Sequence, residues 1–91
     1  MTRILVKGSE IAVPNTVGAA SSFSEATVVR LANASTTDYV ITIATDNGGS
    51  GTIGTFTMLA NTSELVEKNP TDVVFVNSGS DVKGTKVGFT N

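Results

Sequence analysis

Apolar and polar residues alternate along this chain in short runs with a period near two, and clusters of Gly, Asn, Asp, Ser and Pro separate the runs. That pattern predicts half-buried β-strands joined by turns. Residues 3-6 and 10-13 are two short apolar runs around Lys7-Gly8-Ser9, read as a small hairpin or edge pair. Pro14 ends any ladder there by removing a donor. Residues 14-25 are small, polar and aperiodic, which predicts a loop or arm. Ser22 to Glu25 has the spacing of a capping box, but the β-branched Thr27-Val28-Val29 that follows disfavours a helix.

From residue 26 the alternation is regular. The segment 26-33 places Val29 and Leu31 on one face, with Val28 and Arg30 on the other. In 39-45, Tyr39, Ile41 and Ile43 point inward. Asp46-Asn47-Gly48-Gly49-Ser50-Gly51 is a turn signal, since Asn-Gly accepts the positive φ of a hairpin loop. In 52-59, Phe56 and Met58 share a face, and Thr55, Thr57 and Leu59 share the other. Ala60-Asn61 turns the chain into a strand over 62-68, with one helical turn as the rival. Asn69-Pro70-Thr71-Asp72 is a turn, because Pro presets φ and Asp caps locally. Residues 73-76 form a strand buried on both faces, 78-84 a polar loop, and 86-90 a last strand with Val87 and Phe89 inward. Six to eight strands about ten residues apart predict a small antiparallel all-β sandwich, Ig-like or jelly-roll-like, with an extended N-terminal arm. The division is 1-25 as hairpin and arm, and 26-91 as the sandwich.

Composition supports this picture. Val and Ile total 17 against 4 Leu, and 14 Thr add further β-branched side chains, which suit a pleated surface better than a helix. At 91 residues and 40% hydrophobic content, the chain fits one small folded domain. Cysteine and histidine are both absent, which removes disulfides, thiolate zinc sites and the commonest general base. The net charge of -2 leaves no basic footprint for nucleic acid. No run approaches the roughly 18 apolar residues of a membrane span, and Ile4-Leu5-Val6 is far shorter than the apolar region of a signal peptide.

Gly49-Ser50-Gly51-Thr52-Ile53-Gly54 fits GxGxxG, but β-patterned residues follow where a dinucleotide site needs a helix, so a hairpin loop is expected. Gly79 to Lys86 lacks the lysine placement of a phosphate loop. Asp46, Asn47 and Ser50 offer oxygens to calcium, yet no second acidic residue lies nearby, and a turn is expected. Glu64 and Glu67 fall on opposite faces of a strand, so with Asp72 they form no catalytic pair. Asn33-Ala34-Ser35 and Asn61-Thr62-Ser63 match the glycosylation triplet and are read as turn residues. Tyr39 is the only tyrosine and tryptophan is absent, so an aromatic platform for sugars or bases is missing. No catalytic, cofactor or metal residue is expected, and the protein is read as no enzyme.

Thr27-Val28-Val29-Arg30-Leu31-Ala32-Asn33, Gly54-Thr55-Phe56-Thr57-Met58, the stretch Glu64 to Asp72 and the ending Lys86 to Asn91 together resemble short virion structural proteins of marine tailed phages, particularly cyanophages. The resemblance covers about two-thirds of the chain, from residue 26 onward, and is one of style and order. It implies a β-sandwich displayed on a capsid or tail. The expected function is that of a capsid decoration or cement protein on the major capsid protein lattice, located in the virion after assembly in the host cytoplasm. Self-association, as in a homotrimer, is the second expected contact; nucleic acid, membrane and cofactors are not expected. The alternatives are a tail, neck or fibre-associated component, or a cellular β-sandwich ligand-binding module. Pro14, Val17 and Phe23 in the arm are the candidate partner-binding residues, because a lone aromatic in a small-residue loop needs somewhere to bury. Packing of Phe23 on its own domain is the competing reading.

Overall fold

A computed structural model describes residues 3–15, 20–45 and 51–90, with the side chains of Arg3, Phe89 and Thr90 left aside. Eight strands run through these residues and no helix: β1 (Arg3–Val6), β2 (Ile11–Ala12), β3 (Val28–Asn33), β4 (Tyr39–Ala44), β5 (Thr52–Met58), β6 (Thr62–Glu67), β7 (Val73–Val76) and β8 (Val82–Thr90). All pairings are antiparallel. One sheet has the order β1-β8-β3-β6, with β2 also on β8, and the other has the order β5-β4-β7. The small β-sandwich expected from the alternation is therefore the fold.

The N-terminal runs are not a hairpin. β1 and β2 both add to the same edge of β8, at Val6↔Val87 and Ile11↔Gly84. Five steps along the N-terminal segment match three along β8, so Lys7 to Glu10 carries a two-residue bulge in a single interrupted edge strand. The expected hairpin fails because β8 is longer than 86-90. It starts at Val82, and its early residues offer ladder positions that pair with Ile11 and Ala12.

The described residues of the 14-25 segment run along the sandwich. The Val13 amide donates to Val82 in the five-stranded sheet, and the Pro14 carbonyl accepts from Val76 in the other. Pro14 is thus where the chain changes sheets, consistent with its missing donor. Ser21 then bridges Val74 with hydrogen bonds in both directions. The resulting order, N-terminal strand-β8-β3-β6 over Ser21-β7-β4-β5, is jelly-roll wiring with one strand reduced to a bridge.

Register decides the faces, because cross-strand partners share a side of the sheet. Val29 and Leu31 look into the core with Val82, opposite Ile41, Met58, Val74 and Val76. Val28 and Val87 face out from the five-stranded sheet, so the inward assignment of Val87 is corrected: it pairs with Val28, not with Val29. β7 is buried on both sides, with Val73 and Phe75 packed on Ala20 and Ala44.

Phe23 enters the core through an unusual turn. Phe23, Ser24 and Glu25 all have positive φ, 54°, 57° and 57°. Three successive L-residues in the left-handed region cost about 1–2 kcal/mol each. The turn is held by the Ser21 hydroxyl accepting from the Phe23 amide at 3.0 Å and the Ser22 hydroxyl accepting from the Glu25 amide at 3.2 Å. Its anchors are the buried side chains of Phe23 and Ala26. The Phe23 ring lies on Gly84, where an added Cβ would stand 2.6 Å from two ring carbons. Glycine is the residue that permits this approach.

Candidate functional site

Of the three residues expected to meet a partner, Pro14 and Phe23 are described. Phe23 is buried at 5% exposure in its own core, which is the competing reading of the sequence. Pro14 is half-buried and tied to β7 through its carbonyl. Val17 lies outside the described residues, as do Asp46, Asn47 and Ser50 of the calcium reading and the first two residues of the GxGxxG match.

Other expected features are in place. The 69–72 turn forms, with the Asp72 carboxylate accepting from the Asn69 amide at 3.2 Å. Glu64 and Glu67 pair with Leu31 and Val28 and so point to opposite faces of the sheet. Asn33 is buried, and its amide nitrogen donates to the carbonyls of Thr37, Met58 and Leu59, while its oxygen accepts from the Ser35 amide and hydroxyl. It is a turn pin whose nitrogen has no room for a glycan.

Lys68 is the buried charge that sequence reasoning missed. Its ammonium donates to the Ala26 carbonyl at 2.7 Å and to the Asn69 and Pro70 carbonyls at 3.3 Å each. Burial pushes its pKa below the ordinary lysine value, and nearby Asp72 and Glu25 oppose that shift. Three carbonyls use all three protons, so this amine is a clasp and not a nucleophile. It lines a groove of about 520 Å³ between the open edges of β5 and β6, with Ile43, Phe56, Val66 and Asp72. The sequence showed only a charged 64–72 stretch, in which nothing marks Lys68 as the inward member.

At the other end of the sandwich, Tyr39 donates to the Asp81 carboxylate at 2.6 Å. That bond to a carboxylate, chiefly, holds the phenol pKa above its ordinary value. Gly79, with φ 74°, sits beneath the phenol, where a Cβ would meet the oxygen at 3.1 Å.

The chemically distinctive surface is the outer face of the five-stranded sheet. In a sandwich this face ordinarily meets water and is polar. Here Val6, Val87, Val28 and Glu67 form one row across β1, β8, β3 and β6, and Thr85, Arg30 and Leu65 form the next across β8, β3 and β6; Val87, Val28 and Thr85 are buried between their neighbours. Val6 is 62% exposed and Leu65 48%, with Ile4 at the margin. A groove of about 430 Å³ crosses the face, floored by Val87 and Thr85 and rimmed by Ile4, Val6, Glu10 and Arg30. The sequence had assigned Val87 to the core, so this apolar row was hidden until the register was known.

Among the described residues, no group of three or more acidic, cysteine or histidine side chains converges on a metal position, and every buried side-chain nitrogen or oxygen has a partner. No helix among them is long and apolar enough to cross a membrane. Fold and surface together define a small jelly-roll-wired β-sandwich with a partly apolar outer face. Comparison with protein-family models, curated proteins and solved structures finds no match.

Proposed function

We propose that this protein is a non-enzymatic virion structural protein, a capsid decoration or cement protein that docks on the major capsid protein lattice. The docking face is the outer side of the five-stranded sheet. One observation carries this reading: Ile4 and Val6, both exposed, flank a groove that reaches buried Val87, and Leu65 is exposed on the same face across Arg30. Exposed apolar side chains grouped in this way mark a protein contact. Arg30, half-buried at the centre of the face, supplies a directional donor set of the kind enriched at such contacts. The sequence resemblance supplies the class of partner.

A small sandwich also gains from docking. A 91-residue chain buries only about 60–65% of its unfolded surface, and binding to the folded state raises its apparent stability by mass action. The test is co-sedimentation with capsid particles. The wild type is expected to pellet with particles at high copy number, and Val6→Lys with Leu65→Lys to stay in the supernatant while keeping its far-ultraviolet spectrum. Wild-type protein that ignores particles, or a double variant that binds as well, overturns the proposal.

A further inference from the structure

Arg30 stands in the middle of the outer face of the five-stranded sheet, between Thr85 of β8 and Leu65 of β6, and is half-buried there. Its guanidinium makes no hydrogen bond or ion pair with any described residue. The contrast with the lysines is plain: Lys68, Lys83 and Lys86 each donate to a backbone carbonyl. Two carboxylates lie on the same side of the sheet without pairing with it. Glu67 stands opposite Val28, one row away, and Glu10 lines the same groove as Arg30. Arg30 also borders both depressions of this face. One is the groove of about 430 Å³ shared with Ile4, Val6 and Val87. The other, of about 320 Å³, is shared with Ala32, Ala34 and Thr62.

We propose that Arg30 receives a carboxylate side chain of the capsid protein, held by two parallel hydrogen bonds at the centre of the docking face; this rests on the docking proposed above. Covering Ile4 and Val6 on one side and Leu65 on the other takes water from the guanidinium between them. A charge that loses its water and gains no acceptor opposes binding strongly. No described group of this chain is in place to accept from Arg30, so the acceptor comes from the partner. The planar guanidinium fork matches the two oxygens of a carboxylate, which occupies the donors and neutralises the charge together. A backbone carbonyl does only the first. A row of nucleic-acid phosphates is opposed by Glu10 and Glu67 beside the site and by the net charge of -2. Exposed Val6 and Leu65 on either side call for apolar neighbours around the incoming group. The partner surface is therefore an Asp or Glu ringed by apolar residues, and a misaligned partner is rejected because it leaves Arg30 bare.

Arg30→Gln removes the charge and keeps a polar side chain. Because no described residue pairs with Arg30, this variant should retain the far-ultraviolet spectrum and urea midpoint of the wild type. In co-sedimentation with capsid particles its affinity should fall roughly thirtyfold or more, the loss expected for one member of a buried charge pair. The other member is tested with particles whose exposed carboxylates have been capped as amides by carbodiimide and glycinamide. Capping should weaken wild-type binding by a similar factor and leave Arg30→Gln nearly unchanged, the coupling expected of two groups in contact. Wild type that pellets while Arg30→Gln pellets equally well overturns the inference and leaves the proposed function standing. Capping that spares the wild type, or that weakens both proteins in equal proportion, overturns it in the same way. Wild-type protein that ignores particles removes the proposed function and this inference with it.

Discussion

Replacing Phe23 separates a core residue from a partner anchor, and the structure fixes the size of the effect. The ring is 5% exposed, belongs to the main core cluster and lies on Gly84, so Phe23→Ala leaves a cavity and should cost about 3–5 kcal/mol. A domain of this size has on the order of 5–14 kcal/mol to lose. Gly84→Ala attacks the same contact from the other side. Its methyl would stand 2.6 Å from the ring and 3.2 Å from the Leu31 side chain, and such overpacking costs about 1–3 kcal/mol. Phe23→Leu shortens the side chain where the methyl would land, so the double variant Phe23→Leu/Gly84→Ala should be more stable than the two single losses predict. Coupling of about 0.5–3 kcal/mol is the range for residues in contact. Urea unfolding followed by far-ultraviolet circular dichroism measures all of these. Additive single and double effects would refute the packing argument, and a Phe23→Ala protein of wild-type stability would return the residue to the partner-anchor role.

Ser24→Gly and Glu25→Gly, both at exposed positions with φ 57°, should each raise stability by about 0.5–1 kcal/mol, because glycine adopts the left-handed region without a Cβ penalty; a destabilised variant in urea titration would show that the turn is not strained. Lys68→Met keeps the length of the side chain but strips donors from three carbonyls, including that of Ala26 at 2.7 Å, and should cost about 1–3 kcal/mol for the carbonyl left unsatisfied, whereas an unchanged midpoint would mean water replaces the ammonium. Tyr39, the only tyrosine, can be titrated at 295 nm: its folded pKa is raised, so its contribution to stability is complete below the unfolded value near 10 and is lost as pH climbs through the higher folded value. Asp81→Asn should bring that titration midpoint down toward 10, and an unmoved midpoint would break the link to Asp81.

Strand identity was legible in the sequence because period-two alternation survives in most strands: Val29 and Leu31 inward on β3, and Tyr39 and Ile41 inward on β4, are where the pattern put them. The 69–72 turn was legible because Pro70 and Asp72 impose it locally. Sheet membership was not, since it depends on which strands are long enough to pair. The reach of β8 back to Val82 took both N-terminal runs that looked like a hairpin. Val87 was misplaced for a related reason: on β8, Val82 faces the core and Val87 the outside, an odd spacing that a window beginning at residue 86 cannot reveal. The left-handed turn at 23–25 left no local signal either. None of its three positions is glycine or asparagine, so its support comes from the buried Phe23 and Ala26 and the hydroxyls of Ser21 and Ser22, which act only in the folded chain. The candidate surface was hidden with Val87, because an apolar outer face looks like core until register is known.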